Sequence, residues 1–289
     1  MANIDAMDGF IWLNGDFVKW QDAKVHVLTH TLHYASSVFE GERAYNGKIF
    51  KANEHQARLL NSCRIMDLEL NYSIEQINEA IYKSMEKNNL KDCYIRPLVF
   101  KGSEGLGIAT QNKNKTQFLI ATWYWPALFG DNPDKGLKLR WADYRKPDPT
   151  TEPVAAKASG LYMISIIEEN KAIREGKDDA LFKDFRGYIA ECGSSNFFLV
   201  MNGELHTPTT ISSLPGITRQ TTIEIAKQKG YKVYVRDIRP EEIEFADEAF
   251  ITGTAAEIMP VSEIGDKQFK TGKITLELRK EYLSLCQAR

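Results

Sequence analysis

Pro153-Val154-Ala155-Ala156-Lys157-Ala158-Ser159-Gly160-Leu161-Tyr162 sets one lysine among small and apolar residues, with no acid beside it. Lysine is normally kept in water, and burial penalises its charged form. A desolvated lysine gives up its proton more readily, and its amine becomes a nucleophile able to form a Schiff base with an aldehyde. The plainer reading is a partly exposed lysine at a strand–helix corner. Other unusual stretches decide between the two, because together they make sense as a site built around Lys157.

The chain has 289 residues, enough for one large or two medium domains. Charged residues make up 26% and hydrophobic ones 43%, the profile of a globular protein with a sizeable core. A formal net charge of −2 gives no electrostatic case for nucleic acid or an anionic membrane. Met1 to Asp8 holds two aspartates and no apolar run, which argues against a signal peptide. No apolar run is long enough to span a bilayer. Cys63, Cys93, Cys192 and Cys286 lie far apart with no CxxC pair. That favours reduced thiols and a cytoplasmic location over a disulfide framework or a zinc cage.

Ile11 to Asn14 and Phe17 to Trp20 read as strands around Asn14-Gly15, a hairpin signal repeated at Asn46-Gly47 and Asn202-Gly203. Asn53 is placed to cap a helix with Leu59, Cys63 and Met66 on one face. Ser73 and Gln76 form a capping box for a second, with Ile74, Ile77 and Ile81 inward. Tyr94 to Lys101 and Gln117 to Tyr124 read as strands, and Pro97 assigns the first to an edge or a bulge. Residues 126–136 hold two prolines and two glycines and read as an interdomain connection. After a strand at Leu137 to Trp141 and a turn-rich run over Lys146 to Pro153, Met163, Ile166, Ile167 and Ile173 give helical periodicity. Strands follow at Ala180–Asp184, Tyr188–Ala190, Phe197–Met201, Glu204–Thr207, Tyr231–Val235 and Glu248–Thr252, with helices over Thr218 to Lys229 and Lys273 to Leu285. Strands and helices mix without regular βαβ alternation, so the expected class is α+β in two domains. They are a small one over 1–125 and a larger one over 137–289.

Leu214-Pro215-Gly216-Ile217-Thr218-Arg219 leads into a helix, whose opening N–H groups and positive dipole end suit a phosphate. An ordinary helix start reads equally well. Gly253-Thr254-Ala255-Ala256-Glu257 follows a strand and is either a tight turn or a second anion seat. Glu191 stands in a run of small and aromatic residues ending at Asn196 and needs a partner there, either a protonated ring nitrogen or an arginine. Tyr94 and Arg96 share one strand face and form either a carboxylate receptor or a solvent-facing pair. His26, His30 and His33 have helical spacing, but no acid or cysteine completes a metal set, so capping and packing are the better account. Gly102-Ser103-Glu104-Gly105-Leu106-Gly107 lacks dinucleotide-binding spacing and reads as a flexible loop.

Taken together, these stretches resemble the fold-type IV pyridoxal-phosphate enzymes, and within them the branched-chain amino-acid aminotransferases. The matching pieces are His33-Tyr34 through Phe39-Glu40-Gly41 and Arg43, Tyr94 to Pro97, Ala156-Lys157-Ala158, Glu191 to Phe198, Leu214 to Arg219 and Gly253 to Glu257. They occur in the family's order and span nearly the whole chain. The resemblance implies a small N-terminal α/β domain and a larger domain with a barrel-like sheet. It implies transamination between a branched-chain or related apolar L-amino acid and 2-oxoglutarate by a ping-pong route, in a homodimer or higher homo-oligomer.

The resemblance also implies roles for residues. Lys157 carries pyridoxal 5'-phosphate and moves the proton. Glu191 pairs with the pyridine nitrogen, and Tyr162 bonds the phenolic oxygen. Arg58, Ile217, Thr218 and Thr254 hold the phosphate. Tyr94 with the N–H groups of Thr254 and Ala255 meets the substrate's α-carboxylate. Arg96, Tyr34 and the Ile108 amide receive glutamate's second carboxylate, and Phe39, Trp125, Tyr162 and Leu106 line the apolar pocket. One departure stands out. Pro126 and Leu128 follow Trp125, where the branched-chain enzymes carry glycine and tyrosine, so the substrate range is left open. A D-amino-acid aminotransferase would carry Arg-x-His where Tyr94-Ile95-Arg96 stands, and an aminodeoxychorismate lyase is disfavoured on the same ground. A pyridoxal-phosphate-binding protein without turnover fits Lys157, Glu191 and the phosphate seat least.

Overall fold

A computed structural model describes residues 7–105, 107–109, 113–125 and 135–288. The chain divides into two compact units, one comprising Met1–Trp125 with Ala156–Gly160, the other Pro126–Ala155 with Leu161–Arg289. Most of the connecting run expected over 126–136, with Pro126 and Leu128, lies outside the described residues.

In the first unit, β1 (Phe10–Leu13) and β2 (Asp16–Lys19) pair around Asn14-Gly15. Both turn residues have positive φ, 51° and 107°, which matches the turn to the twist of its strands. β4 (Glu42–Tyr45) and β5 (Lys48–Ile49) repeat the device at Asn46-Gly47. With β6 (Cys93–Lys101) and β7 (Thr116–Trp123) the sheet runs β2-β1-β7-β6-β4-β5, and β3 (Ser37–Phe39) also pairs with β6. Helices α2 (Ala52–Ile65) and α3 (Ile74–Lys87) bury Leu59 and Cys63, and Ile77 and Ile81, as their periodicity predicts, while Met66 falls just past α2 and, like Ile74, is only part-buried.

Three expectations change in this unit. Pro97 does not mark an edge, because β6 is central. Its missing N–H falls where one neighbour gives way to another: Phe39 of β3 is opposite Leu98, Glu42 of β4 is opposite Ile95, and Glu40 N donates to Pro97 O across the gap. Asn53 does not cap α2. Lys51 holds the cap position in a left-handed conformation, and Asn53 Oδ1 instead accepts from Asn78 Nδ2 at 2.8 Å. The three histidines do not share a helix, since α1 is only His30–Tyr34. His33 Nε2 reaches Val27 O, and His30 bridges Ser36 Oγ and Ile108 O. Among the described residues no group of His, Cys, Asp and Glu is arranged to hold a metal ion.

The second unit is built on β8 (Leu137–Lys146), β9 (Asp179–Asp184), β10 (Ile189–Cys192), β11 (Asn196–Met201), β14 (Glu248–Gly253) and β15 (Glu257–Ile264). They run in the order β10-β9-β8-β15-β14-β11, and β10 pairs back to β11, so the six close into a barrel. Closure leaves no open edge within the ring. β12 (Glu204–Thr207) and β13 (Val233–Val235) extend the sheet outward from β11. Leu139, Leu181, Phe197, Leu199, Ile251 and Val261 from the ring strands belong to one fully buried cluster. Strand β15 and the extension of β8 to Lys146 have no counterpart in the sequence reading. Pro260 interrupts the pattern of one, and the charged, turn-like run after Trp141 masks the other.

Helix α4 (Met163–Arg174) is present, but its apolar stripe is not its buried side. Met163, Ile166 and Ile173 are exposed, while Ser165, Glu168 and Ala172 are covered. The cause is electrostatic: Glu168 accepts from Arg140, from Lys171 Nζ at 2.9 Å and from Asp143 N at 3.1 Å. A fully buried carboxylate needs that many donors, and meeting them turns the isoleucines outward. No helix among the described residues is long and apolar enough to cross a membrane.

The predicted capping box of α3 is complete, with Ser73 Oγ accepting from Gln76 N and Gln76 Oε1 accepting from Ser73 N. Ser73→Ala should lower unfolding free energy by about 1 kcal/mol. That would be read as a lower urea midpoint at unchanged slope, and an unmoved midpoint would show the box to be idle.

Candidate active site

In the first unit, Lys157 is fixed by its backbone. Its N–H donates to Ser62 Oγ at 3.0 Å, and its carbonyl accepts from Phe39 N at 3.1 Å. Ala158 bridges Val38 in antiparallel fashion, and Ala156 and Ala158 are buried on either side. The lysine thus leaves from a segment that behaves as a short added strand beside β3, with Nζ 4.8 Å from the centre of the Phe39 ring.

The residue after Phe39 is Glu40, which is wholly buried. Arg58 on α2 grips it with Nε at 2.6 Å and Nη2 at 2.8 Å, and His55 Nδ1 adds a contact at 2.8 Å. Burial opposes ionisation of Glu40, but the Arg58 fork and His55 overcome it and hold the carboxyl well below the usual range. Glu42, two residues on, behaves in the opposite way. Burial and the charge of Glu40 push it well above the usual range, against a single bond from Gln56 Nε2 at 2.9 Å. The two acids flanking Gly41 therefore divide their roles, one charged and one holding its proton.

This environment acts on Lys157. Burial, then the Arg58 guanidinium, push its amine down to about 8, with Glu40 and Tyr94 pulling the other way. Arg96 lies near Lys157 as well, stacked 4.8 Å from the Phe39 ring centre and 5.6 Å from that of Tyr94. Arg96 Nε is buried with no hydrogen-bond partner, a donor suited to a carboxylate. Gly41 leaves room for the Tyr94 hydroxyl, which a Cβ there would strike, and Trp125 packs edge-on against Tyr94 at 4.7 Å. Tyr34 ends α1, half exposed, 4.7 Å from the His30 ring, while Ile108 is exposed and joined to this part by its carbonyl. Leu106 lies outside the described residues.

The second unit brings together the remaining predicted residues. Glu191 on β10 and Asn196 on β11 are cross-strand partners. Asn196 Nδ2 donates to Glu191 Oε2 at 3.1 Å and to Leu214 O at 2.9 Å, so one amide ties the acid to the loop before α5 (Ile217–Gln228). That helix starts at Gly216 with no side chain capping it, so the opening N–H groups of Ile217 and Thr218 are placed for an anion. A Cβ at Gly216 would collide with Asn196 Oδ1. Buried hydroxyls of Ser212, Ser213 and Thr252 have no protein partner. Thr254 and Ala255 form the turn from β14 to β15, and Tyr162 stands at the start of α4.

Sequence reasoning missed the part played by four residues. Lys146 Nζ stands 3.1 Å from Glu191 Oε1, a lysine partner beside the charge of Arg219, which answers to the arginine considered for that acid. The lysine was hidden in a run that reads as turns. Glu40 and His55 were missed although Glu40, like Glu191, is an acid inside an apolar run, the signal that exposed the latter. Asn196 was noted only as the end of a motif.

The first unit thus holds an amine lowered by its surroundings, and the second, on its closed barrel, an acid tied to the loop before α5. The profile of the amino-transferase class IV family matches residues 37–264, and the chain belongs to that family. Its relatives narrow the placement. It is 39% identical to the branched-chain-amino-acid aminotransferase of Pseudomonas aeruginosa over 98% of this chain and 94% of that one. Against the enzyme of the same name from Escherichia coli the identity is 38%, over 96% and 92%. Among solved structures, the Escherichia coli branched-chain amino acid aminotransferase superposes with a TM-score of 0.93 at 38% identity, covering 96% of this chain and 95% of that one. The T.th. enzyme complexed with N-(5'-phosphopyridoxyl)-L-glutamate gives 0.93 at 36%, covering 98% and 95%.

The charge balance around Lys157 is open to measurement. In the cofactor-free protein, acylation of Lys157 by an amine reagent should rise with pH through an inflection near 8. Glu40→Gln removes a group that raises the amine's proton affinity and leaves Arg58 uncompensated, so the inflection should move toward acid. An inflection above pH 10, or one unmoved by the substitution, would contradict the geometry described.

Proposed function

We propose that this chain transfers an amino group between a branched-chain or related apolar L-amino acid and 2-oxoglutarate, yielding the 2-oxo acid and L-glutamate by a ping-pong route on pyridoxal 5'-phosphate. The observation that carries it is the Lys157 amine, lowered to about 8 beside Phe39, Arg58 and Arg96. The donor set suits the cofactor: an amine for its aldehyde, Glu191 for its ring nitrogen, and the start of α5 with partnerless buried hydroxyls for its phosphate. Pyridoxal phosphate, when bound, supplies an aldehyde that accepts the amino group and a ring that withdraws electrons.

The chain's own residues do the rest. Lys157 Nζ, partly uncharged at working pH, would carry the proton between the substrate α-carbon and the carbon of the cofactor's aldehyde, in one direction in the first half-reaction and in the other in the second. Glu191, held by Lys146 and Asn196, would keep the ring nitrogen protonated. Arg58, Ile217, Thr218 and Thr254 hold the phosphate, and Tyr162 bonds the phenolic oxygen. Tyr94 and the N–H groups of Thr254 and Ala255 take the α-carboxylate. Phe39, Trp125, Tyr162 and Leu106 line an apolar wall, while Arg96, Tyr34 and the Ile108 amide meet a second carboxylate. One pocket can then serve both substrates, because the arginine's charge is met only when glutamate or 2-oxoglutarate is present.

A homodimer or larger homo-oligomer belongs to this reading. Its support is apolar surface on the chain by itself: Val27 is 74% exposed and Leu32 61%, and Met163 and Ile166 on α4 are 64% and 58% exposed. A cytoplasmic location is supported by four buried cysteines, all free thiols.

The purified protein should take up pyridoxal phosphate and turn yellow, and borohydride should bleach it while fixing the label on Lys157. A colourless protein that binds none of the cofactor would end this reading. In steady-state assays, Arg96→Ala should lower kcat/KM for glutamate by on the order of 100-fold and for leucine far less. Equal losses would refute the account of two substrates in one pocket.

A further inference from the structure

Behind Glu191 the second unit holds more acid than its reaction requires. Lys146, at the end of β8, is buried and placed against Glu191 Oε1, with Ser165 Oγ at 3.4 Å and the Phe182 ring at 4.6 Å. Asp179, the first residue of β9, is also buried. Its Oδ1 accepts from Ala180 N at 2.7 Å and from Gly193 N at 3.2 Å, in the turn that follows Glu191 and Cys192. Glu169 on α4 brings Oε1 to the same spot, since a Cβ built on Gly193 would meet both Glu169 Oε1 and Asp179 Oδ1. The groups facing Asp179 are therefore Glu169 from α4, Lys146 from β8 and Cys192 from β10, while Glu191 is faced by Lys146, by Cys192 and, from α5, by Arg219. Three carboxyls and one ammonium share this volume. With every acid ionised these four groups would carry a net charge of about −2 in a largely buried place, offset in part by Arg219 beside Glu191, and buried groups avoid such a charge by keeping a proton.

We propose that Asp179 and Glu169 are positioning residues for this reaction: by sharing Lys146 with Glu191, they set how firmly Glu191 holds the proton of the cofactor's ring nitrogen. The inference rests on the function proposed above. Burial, then the charge of Glu169, push the Asp179 carboxyl up to about 7. Burial also raises Glu169, against the pull of Lys146. The Cys192 thiol, driven well above its usual value by burial and then by Asp179, stays neutral. Below the Asp179 inflection Asp179 holds its proton, and Lys146 is shared only between Glu191 and Glu169. Above it, Asp179 is charged and draws on Lys146. The potential at Glu191 becomes more negative, and the ring nitrogen keeps its proton to higher pH.

The test uses the loaded protein carrying pyridoxal phosphate labelled with nitrogen-15, followed by NMR of the ring nitrogen against pH. Wild type should show an inflection near 7. Asp179→Asn keeps an oxygen for the Ala180 and Gly193 N–H groups, so the turn stays held while the charge is lost, and the inflection should vanish. Glu169→Gln removes the repulsion on Asp179 and should move the inflection toward acid by roughly one pH unit. A merely structural Asp179 would leave the nitrogen titration of the asparagine variant like that of wild type, which would overturn the inference alone. Glu191→Gln is the control. If it leaves the nitrogen signal unchanged, or if the protein binds no cofactor, the functional reading fails and takes this inference with it.

Discussion

A lysine amine taken out of water must have its charge settled by what surrounds it, and the first unit is arranged around that demand. The segment carrying Lys157 is stitched to β3 by main-chain bonds, so the amine cannot escape to solvent by moving its backbone. Phe39 presents a ring to it, Arg58 repels its proton, and Glu40 limits how far that repulsion goes. If Glu40 were not gripped by Arg58 and His55, it would take up a proton as Glu42 does, and Arg58 would stand as an uncompensated charge beside a second cation. The ion pair is therefore the part on which the reactivity of Lys157 depends, although Glu40 and His55 have no assigned contact with substrate.

The second unit solves a related problem with opposite sign. Glu191 stands in a largely buried place, and Lys146 and Asn196 reach it from two directions. Asn196 also bonds Leu214 O, so the acid and the start of α5 cannot shift independently. Barrel closure through the pairing of Glu191 with Asn196 places this contact in the seam of the ring. The fold's closure and the orientation of this acid thus rest on the same pair of residues.

Much of this was legible in the sequence where chemistry is local. Asn-Gly turns, the Ser73–Gln76 box and the helix after Gly216 need only neighbouring residues, and all are found. Lys157 and Glu191 stood out because a charge in an apolar run is costly wherever it folds. What failed depended on partners distant in sequence. Pro97 looked like an edge residue until two different strands were found to share one side of β6. The isoleucines of α4 looked like core until Glu168 was seen to be claimed by Arg140, which lies 28 residues away in sequence. Lys146 gave no local sign at all, since a lysine ending a strand is ordinary until its acid is known.

The path of the chain limits how such a protein can be taken apart. Residues Ala156–Gly160 pack with the first unit, while the chain on both sides of them packs with the second. Five residues therefore leave one body, lend the other its lysine, and return. Neither half can be excised as an intact module: a fragment starting at 137 would keep Lys157 but lose Ser62 and Phe39, its backbone anchors, and the complementary fragment would keep the anchors and lose the amine. Exchanging halves between relatives would recombine the two sides of that anchorage, so the two parts are bound to change together as the sequence diverges.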